Sequence, residues 1–213
     1  MRYKKDSLDD NINELLPQEL EVLMNSLKAN ISKQEGMLEA TIKSIQHAKL
    51  NNFKPTDQIW NLAGFIMIVS MDLKTTMYSL LASDNEWMKR FYLRQSCLIT
   101  YESIDDIFQL LGKNFKNMIA DKFSETSLDQ EFNSVRKRLN EFKKIYQNKI
   151  KKVRNVSIAH KDHNIENQIE QIINLSFNEN LVMLIEFDNI LNELGGKIQK
   201  TINKDLERLY KSK

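Results

Sequence analysis

A chain of 213 residues suffices for one domain or a domain with appendages, and 41% apolar with 28% charged residues suits a globular protein. Only 5 Gly and 2 Pro argue against a turn-rich β architecture, while abundant Leu, Ile, Lys, Glu, Asn and Gln favour helices. A net charge of +2 excludes a uniformly basic surface, and the lone Cys97 excludes an internal disulfide, which suits a reducing cytoplasm.

Residues 1–16 are polar, acidic around Asp9-Asp10, and read as an N-terminal arm. No apolar h-region follows the first residues, so no secretory signal is expected. Residues 17–213 read as a single helical domain. Pro17 suits a first helical turn. From there Leu20, Leu23, Leu27, Ile31, Leu38, Ile42 and Ile45 recur at three- and four-residue spacing, with Gln34 in the stripe. That predicts one long amphipathic helix ending near Asn51-Asn52, before Pro55. Thr56 is the expected cap of a second helix, with Asp57 in its first turn. The run Ile59–Met71, interrupted by Asn61, Gly64 and Ser70, reads as a buried core helix too short to cross a bilayer, so no membrane partner is expected.

Ser83-Asp84-Asn85-Glu86 predicts a break and a new start, and Gly112 a stop. Between them lies the stripe Phe91, Leu98, Tyr101, Ile104, Phe108 and Leu111. Arg94 falls on that stripe, and Glu102 and Asp105 fall on or beside it. Charges facing a core need partners, because unpaired burial costs several kcal/mol. These three residues are therefore expected either in structural ion pairs or in support of a polar site. Lys113–Ser127 is expected to be variable. A fourth helix, starting near Leu128, carries the stripe Leu128, Phe132, Val135, Leu139, Phe142, Tyr146, Ile150 and Val153. This near-unbroken heptad predicts packing along its whole length, with Arg154 at the edge of the stripe. Ile165–Ile173 reads as a short helix. Another begins near Asn178 with Leu181, Leu184, Phe187 and Leu191, and Gly195-Gly196 is the expected breaker or kink before Ile198, Ile202, Leu206 and Leu209. The fold class is all-α, an elongated up-and-down bundle of about five main helices.

From Asn133 to Lys161 there are ten Lys/Arg and one acid, Glu141. That segment is +9, leaving 2 − 9 = −7 for the remainder. Such an excess attracts polyanions, although most charge runs are solvated helix faces. The helix ends in Lys151-Lys152-Val153-Arg154-Asn155-Val156-Ser157-Ile158-Ala159-His160, with Lys161-Asp162-His163 following. Two of the three histidines fall here; His47 stands alone in the first helix and reads as a surface or packing residue. There is no P-loop, dinucleotide fingerprint, paired CxxC or HExxH. No cofactor is expected. His160, Asp162 and His163 have the right types for a zinc site, but ligands this close in one loop are usually solvated, and no metal is expected.

An Arg, then Asn, then His after five intervening residues, at the end of a basic helix, resembles the signature of the HEPN superfamily (higher eukaryotes and prokaryotes nucleotide-binding). Phe91-Tyr92-Leu93-Arg94-Gln95-Ser96-Cys97-Leu98-Ile99-Thr100-Tyr101-Glu102 resembles, more loosely, the polar-bearing helix of several bacterial subfamilies. The resemblance covers about residues 57–194. It implies a metal-independent endoribonuclease, commonly a toxin or phage-defence effector, with RNA as substrate, an antitoxin protein as a further partner, and two motifs facing one another in a homodimer. Arg154, Asn155 and His160 would be catalytic. Histidine moves a proton at neutral pH, and a guanidinium stabilises charge developing on phosphorus. Ser157, Lys151 and Lys152, with Arg94, Glu102 and Asp105, are the binding and supporting candidates. Six residues along an ideal helix is about 600°, which places Arg154 and His160 roughly 120° apart. Either the helix ends before His160 or a second chain completes the site. The same residues also suit a non-catalytic all-α dimer that binds a nucleotide or a protein.

Overall fold

The structure is a computed structural model that describes residues 17–123, 126–154 and 165–211. Those residues form seven helices and no strand: α1 Pro17–Leu50, α2 Lys54–Ala82, α3 Glu86–Leu110, α4 Lys113–Phe123, α5 Thr126–Arg154, α6 Ile165–Ile173 and α7 Phe177–Lys211. An all-α bundle is what the apolar periodicity predicts. The count is seven because the expected short helix Ile165–Ile173 adds to the five main ones and because residues expected to be variable form α4, whose Phe115, Met118 and Ile119 are buried at three- and four-residue spacing.

α2 is the hub. It packs against α1, α3 and α7, and buries residues on several faces, from Ile59 and Leu62 through Leu73 and Met77 to Leu80. By length and composition alone this 29-residue helix is sufficient to cross a membrane, which the shorter Ile59–Met71 run did not suggest. Its packing within the bundle is that of a core helix. α5 fulfils its heptad: Leu128, Phe132, Val135, Leu139, Phe142, Ile150 and Val153 are all buried. Phe142 stacks on Phe187 of α7 at 5.4 Å between ring centroids. α5 therefore lies between α3 and α7.

Several boundaries and faces depart from the sequence expectation. Thr56 does not cap α2, which begins two residues earlier with Phe53 as its cap. Buried Thr56 instead donates through Oγ1 to Asp205 Oδ2 at 2.6 Å, joining the start of α2 to the end of α7. Asp205 also accepts from Arg208 Nη2 at 2.7 Å. α1 ends through Asn52 in the left-handed region, φ 56°, which Asn tolerates. Ile42 and Leu206, placed on core stripes from spacing, are 55% and 39% exposed; Thr41 and Asp205, each one residue earlier, are buried in their stead. Gly195-Gly196 does not break α7, which runs through both.

A buried polar relay crosses the bundle. Lys74 of α2 donates to Ser70 Oγ at 2.7 Å and pairs with Asp188 of α7. Ser70 Oγ also accepts from Gln34 Nε2 of α1 at 3.1 Å. This explains Gln34 in an otherwise apolar stripe: the Ser70 hydroxyl ties α1 to α2, and Lys74 carries the chain of contacts on to α7.

Candidate functional site

The site begins with α5's cations, which divide into three rows. On one flank they reach α3. Arg136 Nη1 donates to the Leu111 carbonyl at 2.7 Å, Lys143 pairs with Asp105, and Arg154 Nε donates to Glu102 Oε1 at 2.7 Å. On the other flank they reach α7, Arg138 to Glu193 at 2.8 Å and Lys149 to Glu179 at 2.7 Å. The hydrogen bond from Lys149 holds the Glu179 carboxyl below its ordinary range. Between the flanks, Lys137, Lys144, Lys151 and Lys152 are exposed and make no ion pair among the described residues. Five of the ten cations thus join helices, four of them through carboxylates, so less of the positive charge is uncompensated than the sequence total suggests.

Arg154 is the last residue of α5 and has 27% of its side chain exposed. Besides Glu102, it meets the Tyr101 ring, with Cζ 4.8 Å from the centroid. An acid and an aromatic face, adjacent on α3, therefore fix the position of the guanidinium. Glu102 is accordingly brought to Arg154, as the charge on its stripe demanded. Asp105, one turn further along α3, engages Lys143 instead.

Arg94 is not brought to the same place. It lies about two turns, roughly 10 Å, from Tyr101 toward the start of α3. It is buried, donates through Nε to the Arg90 carbonyl at 3.2 Å, and lies 5.6 Å from the Trp87 ring and 6.0 Å from Phe91. Burial lowers its affinity for the proton. Arg90 beside it donates to the carbonyls of Ile172 and Ile173, at 2.9 and 2.5 Å, capping α6. The α3 stripe expected to face the core lies largely at its rim: Phe91 is 44% exposed, while Leu93, Cys97, Thr100 and Ile107 point inward.

Asn155, Ser157 and His160, with Asp162 and His163 of the zinc alternative, lie outside the described residues. Among the described residues no group of three His, Cys, Asp or Glu stands close enough to hold a metal. His47 is exposed and lies 6.2 Å from the Phe53 ring.

Next to the end of α5 opens a cleft of about 410 Å³, lined by Lys149, Lys152, Val153, the α6 residues Asn167 and Gln171, and Asn180 of α7, among others. Its lining is rich in amides, which hydrogen-bond nucleobases and peptides alike. Buried Asn180 forms its base, with Cys97 Sγ 3.8 Å behind. Sequence reasoning missed this cleft because its wall comes from three separated segments, none of which carries a recognisable spacing. No protein-family model, curated protein or solved structure matches the chain.

Proposed function

We propose that the chain is a metal-independent endoribonuclease of HEPN type, working as a toxin or phage-defence effector, in which Arg154 and His160 act on one RNA phosphodiester. The observation that carries this reading is a partly exposed guanidinium, fixed by Glu102 and Tyr101 at the end of a lysine-bearing helix, directly before Asn155 and six residues before His160. In the proposed reaction the 2′-oxygen attacks the adjacent phosphorus while His160 takes its proton. The phosphorus–5′-oxygen bond then breaks, and the imidazolium returns the proton to the leaving oxygen. Arg154 stabilises the charge gathering on the phosphoryl oxygens, and Asn155 orients the phosphate or the imidazole. Because Arg154 and His160 diverge on one ideal helix, the proposal includes a homodimer in which two motifs share a cleft.

The test is cleavage of labelled single-stranded RNA in EDTA. His160→Ala is expected to lower the rate by about 10²–10⁴-fold, and Arg154→Ala to weaken both binding and turnover. His163→Ala and His47→Ala are expected to retain activity, whereas a zinc site would require His163. Circular dichroism checks that each variant is folded, and sedimentation checks for the dimer. Wild-type cleavage by folded His160→Ala refutes the catalytic assignment. The amide-lined cleft favours one other reading, a non-catalytic module binding a nucleotide or a protein; saturable binding without cleavage would select it.

A further inference from the structure

We infer that the exposed crest of α5 is a track for the sugar–phosphate backbone of single-stranded RNA, with Lys137, Lys144 and Lys151 as successive phosphate contacts leading to Arg154. The inference rests on the ribonuclease reading and names where its substrate lies.

The argument starts from the division of α5's cations. At about 100° per residue, Arg136, Lys143 and Arg154 fall on one flank of the helix and Arg138 and Lys149 on the other. The contacts agree, since the first three reach α3 and the last two reach α7. Lys137, Lys144 and Lys151 recur at a seven-residue interval on the ridge between them. All three are exposed, and none is ion-paired among the described residues. They stand about 10.5 Å apart along the axis.

A seven-residue interval does not close on an α-helix, and slips by about 20° each time. The slip here runs toward the α3 flank. Lys144 is displaced about 20° and Lys151 about 40° from Lys137, and Arg154 continues in the same direction, about 60° further round. The row therefore curves onto Arg154 instead of running past it. Around it stand the neutral polar Asn140, Gln147 and Asn148 and the exposed apolar Ile145, and Glu141 is the one acid on the exposed ridge.

The test is fluorescence anisotropy with a labelled single-stranded RNA at several salt concentrations, using the full chain with His160→Ala to prevent cleavage. For single strands the slope of log K against log salt changes by about 0.7 per neutralised phosphate. Replacing Lys137, Lys144 and Lys151 together by Gln is thus expected to reduce the slope by about 2. Removing the same kind of charge at the paired positions, with Arg138→Gln and Lys149→Gln, is expected to change it by less than one contact. Circular dichroism confirms folding in each case. Tight RNA binding whose slope is unaffected by the triple substitution overturns the track and leaves the ribonuclease reading standing. Absence of RNA binding by both the parent chain and the wild type overturns both. Equal loss of slope in the paired-cation variant shows a diffuse charge effect and also overturns the track.

Discussion

Glu102 and Arg154 form an ion pair at the surface, with side chains 53% and 27% exposed. Such pairs contribute about 0–1 kcal/mol to stability, so the value of this one lies in position. Glu102→Gln is expected to shift unfolding by less than about 1 kcal/mol. On the proposed ribonuclease reading it is expected to lower RNA turnover about ten- to a hundredfold through misplacement of the guanidinium, with Glu102→Asp recovering part of the loss. Denaturation curves and single-turnover cleavage check the two effects, and unchanged turnover would show that Glu102 only decorates the surface. The sequence marked Glu102 as one of three charges on or beside the stripe that were expected to pair or to support a site, but it did not name Arg154 as its partner, and the burial argument behind that expectation does not apply to a carboxylate this exposed. The neighbouring expectation for Arg94 shows the limit of such reasoning. Spacing placed it on the same stripe, but spacing repeats every heptad and does not say which level of a helix carries the site. Arg94 is instead buried beneath Trp87 and Phe91. Cys97, read as a small core residue, is fully enclosed, and burial pushes its thiol up to about 12, so at neutral pH it is protonated and unreactive.

At the level of elements, interiors were more legible than ends. The α5 heptad was readable residue by residue because each position packs in the same way, whereas the ends of helices are decided by partners distant in sequence. Thr56 looks like a cap until Asp205, 149 positions away, claims its hydroxyl. α7 shows the converse. Two consecutive glycines read as a breaker or a kink, yet burial of Leu191, Leu194, Ile198 and Ile202 on either side carries the helix through them without a break. A side chain at Gly195 or Gly196 would meet no atom within 4 Å, and neither has positive φ. Gly195→Ala and Gly196→Ala are thus each expected to stabilise the chain by roughly 0.5–1 kcal/mol, by removing unfolded-state freedom. Gly112→Ala is expected to do the opposite, because its Cβ would approach the Gln109 carbonyl oxygen at 2.8 Å. Urea midpoints of the three variants read both signs, and destabilisation by Gly195→Ala would show that α7 is bent there in solution.

For the molecule as a whole, the decisive contacts converge on α2 and α7. Lys74 and Asp188 form a charged pair between them, with side chains 3% and 16% exposed. Lys74→Ala leaves that carboxylate without its cation, and is expected to cost about 3–5 kcal/mol. Replacing both residues, with Lys74→Met and Asp188→Leu, is expected to recover most of the loss, because a packed apolar pair matches a buried ion pair in stability. Equilibrium unfolding of the single and double variants checks this; an equally unstable double variant would assign the pair's role to its links with Ser70 and with Asn192, whose Nδ2 donates to Asp188 Oδ2 at 2.9 Å. The same arrangement has a consequence for the order in which the protein is made. α7 supplies partners for α2 at Thr56 and Lys74 and for α5 at Arg138 and Lys149, and it leaves the ribosome after both. At about 5–20 residues per second, the side of α2 that packs on α7 waits on the order of ten seconds for its partner, while α1 and α3 already flank the helix. In that interval the nascent chain displays an apolar helix of membrane-spanning length without its final cover. During synthesis α5 is thus held on both flanks only once α7 has docked.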